Sequence, residues 1–288
     1  MKIDTQPLRI AESEKLKLDD RPTKVAPLYK SKKAYGDALE THVRALETCH
    51  ERLYANARHA VLVILQGMDT AGKDGAIKHA LRGVNPQGCR VASFKAPTPT
   101  ELRHDFLWRC QGDLPEHGAI AIFNRSYYEA VLIERVHPKL LLGEGLDPPK
   151  DLGVFFDARF RAIREFERHL VASGTTIVKI FLHISKDEQK RRLLDRLDDS
   201  EKNWKASMAD VEERGFWKDY IHAYEEMLPA TSTHAAPWFV VPADDKRNAR
   251  LYVSEILIEA LETLPIATPK PDAARLKELK RIKAELGD

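Results

Sequence analysis

Residues 60–80 read AVLVILQGMDTAGKDGAIKHA: an unbroken apolar run, a glycine-rich turn and the start of a helical pattern. The run at 60–65 carries aliphatic, mostly β-branched side chains without alternation, which predicts a strand buried on both faces of a parallel sheet. Gly67 to Lys73 then fits G-x-x-x-x-G-K, directly before a helix expected over about 73–83. In that strand, loop, helix context, the backbone of Gly67, Thr70, Ala71 and Gly72 can close on phosphate oxygens. The helix N-terminus adds positive potential, and Lys73 neutralises the phosphate to be transferred.

Two departures from the usual phosphate loop are informative. The position after Lys73, normally a Ser or Thr that ligates magnesium, is Asp74, and a second carboxylate, Asp69, lies inside the loop. Carboxylates beside a polyphosphate make sense mainly with a divalent cation between them, so Asp69 is read as a metal ligand or an orienter of the acceptor. A structural alternative for Asp69 is loop capping; for Asp74 it is the preference of an acid for a first helical turn. Beyond the loop, residues 73–95 hold five basic side chains (Lys73, Lys78, Arg82, Arg90, Lys95) against one acid. Lys78 and Arg82, four apart, share a helix face that either extends an anion track or is simply solvated.

Outward from this unit, further strands are expected at 90–94, 119–123 (AIAIF), 176–182 (TIVKIFL) and 238–241 (WFVV), and helices at about 36–56, 99–111, 126–135, 155–172 and 246–263. Strands alternating with helices predict an α/β fold, a three-layer α/β/α sandwich around a parallel sheet. The strand at 119–123 ends in Asn124-Arg125, where phosphate-loop enzymes usually present a metal-binding Asp. Asn124 supplies a hydrogen bond but no charge, which shifts the metal burden toward Asp69. Arg125 is placed to fork onto phosphate oxygens, or else to pair with Glu129 or Glu134.

Residues 139–153 hold three glycines and two prolines and read as an irregular surface connection. Residues 185–228 are helical in pattern and highly charged with no strand, which suggests a lid. Of its cations, Arg192 and Arg196 share a face and are expected to close over the transferring group, with Lys205 as a further phosphate ligand. Trp204, Trp217, Tyr220 and Tyr224 are expected in the core. Residues 1–35, with prolines at 7, 22 and 27, read as an extended arm whose stretch 21–35 has five basic residues and no acid. Residues 36–264 form the expected kinase domain. A tail at 265–288 carries a polar helix with Leu276, Leu279, Ile282 and Leu286 along one side.

The whole chain, 288 residues with 46 Lys and Arg against 44 Asp and Glu, is nearly neutral, which disfavours nucleic acid as the main ligand. Its 43% hydrophobic and 31% charged residues exclude a chain disordered throughout. Cys49, Cys89 and Cys110 have no metal or disulfide spacing. No signal peptide or membrane-spanning run is present in the sequence, so a cytoplasmic protein is expected.

Taken together, GMDTAGKDG (67–75), GVNPQGCRVASFKAPT (83–98), FNRSYYE (123–129), IREFERHL (163–170), FLHISKDEQKRRLLDRLDD (181–199) with NWK (203–205), and APWFVVPADDK (236–246) resemble the family-2 polyphosphate kinases, over about residues 35–264. The resemblance implies a phosphate-loop kinase that transfers phosphoryl groups between inorganic polyphosphate and nucleotides with Mg²⁺ (Mn²⁺ as a substitute), usually as a homo-oligomer, dimer or tetramer. FNRS in place of FDRS looks most like the branch acting on both AMP and ADP, with adenine, and guanine second, as the base. It assigns phosphate binding to Lys73, Arg125 and the lid arginines, and metal or acceptor work to Asp69. The competing readings are an ATP-dependent nucleoside-monophosphate kinase and a non-enzymatic phosphate-binding module.

Overall fold

The computed structural model describes residues 2–12, 14–147, 149–267 and 271–287, without the side chain of Lys205. In chain order the regular elements are α1 (Lys32–Asn56), β1 (Ala60–Gly67), α2 (Lys73–Ala80), β2 (Cys89–Ser93), α3 (Trp108–Gln111), β3 (Ile120–Asn124), α4 (Glu129–Val136), α5 (Leu152–Ala172), β4 (Thr175–His183), α6 (Lys186–Asp198), α7 (Met208–Gly215), α8 (Trp217–Thr231), β5 (Trp238–Pro242), α9 (Lys246–Glu262) and α10 (Ala273–Leu286). The five strands form one parallel sheet in the order β2-β3-β1-β4-β5.

All eight residues of β1 are buried, as expected for a strand covered on both faces. Helices α1, α2 and α9 cover one face, and α4, α5 and α8 the other. The chain reverses its winding at β1, which lies between β3 and β4, and ligands of open α/β sheets bind outside the strand ends at such a switch point. Leu65 pairs with Asn124, Gly67 with Leu182 and Ser93 with Asn124, so the loops after β1, β2 and β3 emerge side by side.

The structure corrects several expectations. The helix expected at 99–111 is two short pieces, a 3-10 turn at Glu101–Arg103 and α3. Glu101 and Thr98 cap each other, and the Asp105 carboxylate accepts from the Leu107 N–H, so local side-chain bonds win over a continuous helix. Within the expected lid, only α6, α7 and the turn between them stand over the strand ends. Helix α8 buries Ala223, Tyr224, Met227 and Leu228 and belongs to the core layer with α4 and α5. Trp204 is 74% exposed rather than packed.

The arm is not a solvated tail. It buries Ile3, Leu8, Ile10, Leu16 and Leu18 and runs along the β5 edge of the sheet, where the Ile10 N–H donates to the Trp238 carbonyl over 2.9 Å. Further on, Thr23 bonds Asp244 and the Leu28 N–H donates to Asn248, tying the arm to the start of α9. Cys49 and Cys110 are buried, and burial pushes the Cys89 and Cys110 thiols up to about 11 and about 12, which makes them unreactive.

Candidate active site

The loop between β1 and α2 is held by three constraints. An added Cβ on Gly67 would stand 2.9 Å from the Leu182 carbonyl oxygen of β4, so the loop leaves the sheet only with glycine there. Gly72 opens α2 in the left-handed region, φ 102°. Thr70 (φ 63°) and Arg125 (φ 64°) take the same region without being glycine, a conformation that costs on the order of 1–3 kcal/mol and recurs at functional sites. Helices α1, α5, α6, α7, α9 and α10 have their first N–H groups capped by Ser31, Asp151, Ser185, Ser207, Asp245 and Asp272. Helix α2 begins at Gly72 with no side-chain cap, as an anion-binding N-terminus requires.

Lys73 Nζ donates to the Gly67 carbonyl over 2.7 Å and to Met68 over 3.4 Å. Burial pulls its pKa below the ordinary lysine value, with Asp69 opposing that shift. Arg125 donates to Asp69 over 2.9 Å and pairs with Glu129 at 3.6 Å. Glu129 foremost, then Asp69, holds the guanidinium charged, while burial pushes Glu129 itself above the ordinary carboxylate value. The expectation that Arg125 either meets phosphate or pairs with Glu129 is thus met by a cation that does the second while lining the cleft. Asn124 donates to Asp74 over 2.6 Å.

These residues wall a cleft of about 620 Å³ containing Asp69, Lys73, Asp74, Asn124, Arg125 and, from the other side, Arg196, Lys202, Lys246 and Arg250. Arg196 also pairs with Asp210 of α7 at 3.3 Å. Arg192 lines this cleft but does something different from what its position on the lid suggests. It is buried, and its five N–H groups go to the carbonyls of Thr70, Ala71, Ala243 and Asp244 and to the Glu188 carboxylate. Its geometry is that of a brace between the phosphate loop and the β5–α9 turn. Lys78 is exposed and Arg82 pairs with Glu40 of α1, so neither lines this cleft. The Lys205 side chain lies outside the described part.

A second cleft, about 470 Å³, was not legible in the sequence. Its walls are largely apolar and aromatic, including Phe94, Pro97, Leu102, Phe106 and Tyr127, and it opens onto Arg125 and Glu129. Arg125 therefore lines both clefts. The segment FKAPT after β2 was the available signal, since a Phe and a Pro at a strand end beside a phosphate loop are poorly suited to solvent.

Beneath Arg125 lies a buried network that sequence reasoning also missed. Lys179, fully buried on β4, donates to Glu167 over 2.6 Å, to Tyr128 over 3.1 Å and to the Thr231 carbonyl over 2.7 Å. Tyr127 and Tyr128 both donate to the same Glu167 oxygen. The two tyrosines follow Arg125 in sequence, so the network anchors the turn that carries it. A lysine inside the apolar run TIVKIFL was the clue.

Among the described residues no group of three or more His, Cys, Asp or Glu gathers at one point, and no helix is long and apolar enough to cross a membrane. A magnesium ion keeps water and phosphate oxygens in its octahedron and needs only one or two carboxylates. Asp69 and Asp74, both on the wall of the phosphate cleft, fit that requirement.

Residues 29–268 match the family described as Polyphosphate kinase 2 (PPK2). Over 287 residues the chain is 54% identical to the ADP-polyphosphate phosphotransferase of Rhodopseudomonas palustris, covering 99% of both. It is 48% identical over 246 residues to the AMP/ADP-polyphosphate phosphotransferase of Meiothermus ruber, covering 85% of this chain and 88% of that one. Its fold matches the crystal structure of Polyphosphate Kinase 2 from Arthrobacter aurescens TC1 with a TM-score of 0.86 and 40% identity, over 98% of this chain and 99% of that one. With both clefts, the loop and the helices above it inside the matched segment, this chain belongs to the polyphosphate kinase 2 family.

Proposed function

We propose that this protein transfers phosphoryl groups between inorganic polyphosphate and adenine nucleotides, AMP and ADP, with Mg²⁺. The observation that carries this reading is the position of Arg125, which lines the phosphate cleft on one side and the apolar cleft on the other. Polyphosphate fits the first, where Lys73, Arg196, Lys202, Lys246 and Arg250 supply cations along a groove longer than a single phosphate needs. A nucleoside fits the second, whose apolar walls suit a base and whose mouth at Arg125 suits its phosphate.

The attacking nucleotide oxygen is already anionic, so the site needs no strong general base. Lys73, Arg125 and the uncapped N–H groups of α2 hold the transferring group and neutralise charge that builds in the transition state. Arg125 binds groups from both substrates and so aligns them for in-line transfer. Asp69 and Asp74 are the residues that would hold Mg²⁺, or Mn²⁺ in its place, and the ion supplies charge neutralisation across the bridging oxygens. Exchange of one phosphoanhydride for another leaves the direction to concentrations.

Incubation with AMP or ADP, Mg²⁺ and long-chain polyphosphate, without ATP, tests the reading: ADP or ATP should form. Formation only when ATP is supplied would favour an ATP-dependent nucleoside-monophosphate kinase, and no transfer at all would leave a phosphate-binding module. Asp69→Asn and Lys73→Ala should each lose most turnover while keeping the wild-type circular dichroism.

A further inference from the structure

The apolar cleft ends in two carboxylates. Glu134 sits on α4 five residues beyond Glu129, about 7.5 Å further along the helix axis, and Glu144 lies in the 3-10 turn Pro138–Glu144 that follows α4. Both line the cleft and both are nearly buried, 14% and 13% exposed. They grip one cation. Arg159 of α5 gives one arm to Glu134 and to the Ala130 carbonyl, the latter over 2.8 Å, and the other arm to Glu144 over 2.5 Å. Phe106 and Phe155 lie 4.9 and 4.8 Å from the guanidinium, so it has little freedom to move.

One guanidinium neutralises one carboxylate. Two carboxylates in contact in a largely dry site keep a proton between them, as burial and mutual repulsion both disfavour the second charge. Burial above all raises Glu134 to about 8, with Arg159 pulling down and Glu144 pushing up, and the two side chains hydrogen-bond each other. The other ionisable groups on the cleft are Lys139 on the same turn, Glu129 on α4, and Lys95, Glu101, His104, Asp105 and Arg109 from the segment after β2.

A carboxyl pair holding one proton presents one donor and one acceptor. Adenine needs that combination: its 6-amino group donates, and a ring nitrogen beside it, N1 or N7, accepts. Guanine does not match it, because its N1–H and 2-amino group both donate on one side and its N7 and O6 both accept on the other. A fully ionised pair, which only accepts, suits guanine's N1–H and 2-amino side instead. The spacing from Arg125 and Glu129 at the mouth to the carboxyl pair is on the scale of a nucleoside.

We infer that Glu134 and Glu144 together read the base of the acceptor nucleotide and select adenine over guanine through a shared proton. This rests on the nucleotide-acceptor reading above.

The test is the ratio of kcat/KM for ADP to that for GDP, with polyphosphate and saturating Mg²⁺, from about pH 6.5 to about pH 9. The unmodified protein should prefer ADP at low pH and lose up to about tenfold of that preference as the shared proton leaves. Glu134→Gln, which offers an amide donor and acceptor at every pH, should hold its preference flat. Glu144→Ala, which leaves Glu134 an ionised partner of Arg159, should favour GDP even at low pH. A ratio that does not move with pH in the unmodified protein overturns the inference, whatever the variants do. Absence of polyphosphate-dependent transfer to either nucleotide would instead refute the proposed function, so the two failures are distinguishable.

Discussion

The Asn124 amide donates to the Asp74 carboxylate over 2.6 Å, so the two departures from the common phosphate-loop pattern are one contact. A carboxylate that such enzymes usually carry at the end of β3 is here on the first turn of α2, where the helix N-terminus favours it. An Asp at 124 would face Asp74 and repel it.

Asn124→Asp should therefore lower kcat/KM by about tenfold or more at limiting Mg²⁺, equivalent to about 1.4 kcal/mol, and Asp74→Ser in the same chain should restore most of it. Steady-state rates across a Mg²⁺ series check this. Equal rates for wild type and Asn124→Asp throughout would show that the pair has no role.

Arg192 and Arg196 lie one helical turn apart and do different work. Replacing Arg192 by Lys removes a planar fork that holds four carbonyls, so it should destabilise the protein by about 2–4 kcal/mol and loosen the phosphate loop. Arg196→Lys should lower turnover with little change in the urea midpoint. The two midpoints and the two values of kcat, measured together, separate brace from phosphate ligand; a reversed pattern would exchange these roles.

Much of the sheet was legible because β-branched apolar runs in a parallel sheet are buried on both faces and show no alternation. Residues 60–65, 119–123 and 238–241 all have this character. The phosphate loop was legible because its function fixes spacing along the chain. Arg192 was misleading for a physical reason: a charged residue on a polar helix reads as solvated or catalytic, and only three dimensions reveal the carbonyls around it. The apolar cleft is assembled from β2, α4 and the turn after it, segments that share no period. The burial of Ile3, Leu8 and Ile10 was hidden by the prolines and charges between them.

The Lys179–Glu167 pair is fully enclosed, and removing one partner leaves an uncompensated charge. Lys179→Met should cost about 3–5 kcal/mol, and adding Glu167→Gln should return a substantial part, since Gln still accepts from the tyrosines. Chemical denaturation of the two variants and wild type checks this, and a double variant no more stable than the single one would contradict it.

Glu134 gives a pH signature in stability as well as in base preference. Its folded value, about 8, lies above the ordinary 4.5, so the folded protein binds more protons than the unfolded chain between those values. Stability contributed by this group is full below that window and is lost as pH rises through it. Glu134→Gln should therefore lose less stability than wild type between about pH 5 and about pH 8.5, by on the order of 2 kcal/mol once sharing of the proton with Glu144 is allowed for. Parallel slopes of the urea midpoint with pH would disprove it.

The arm that runs along β5 also imposes an order of events on synthesis. Ile3, Leu8 and Ile10 leave the ribosome first, yet their docking partner, Trp238, emerges more than two hundred residues later. Until then those side chains have no site to enter, and the arm is a sticky leader on a growing chain. Arg192 is likewise made before the carbonyls of Ala243 and Asp244 that it grips. The phosphate loop is thus complete in sequence long before it is braced in space, and the nascent chain gains its braced loop only near the end of translation.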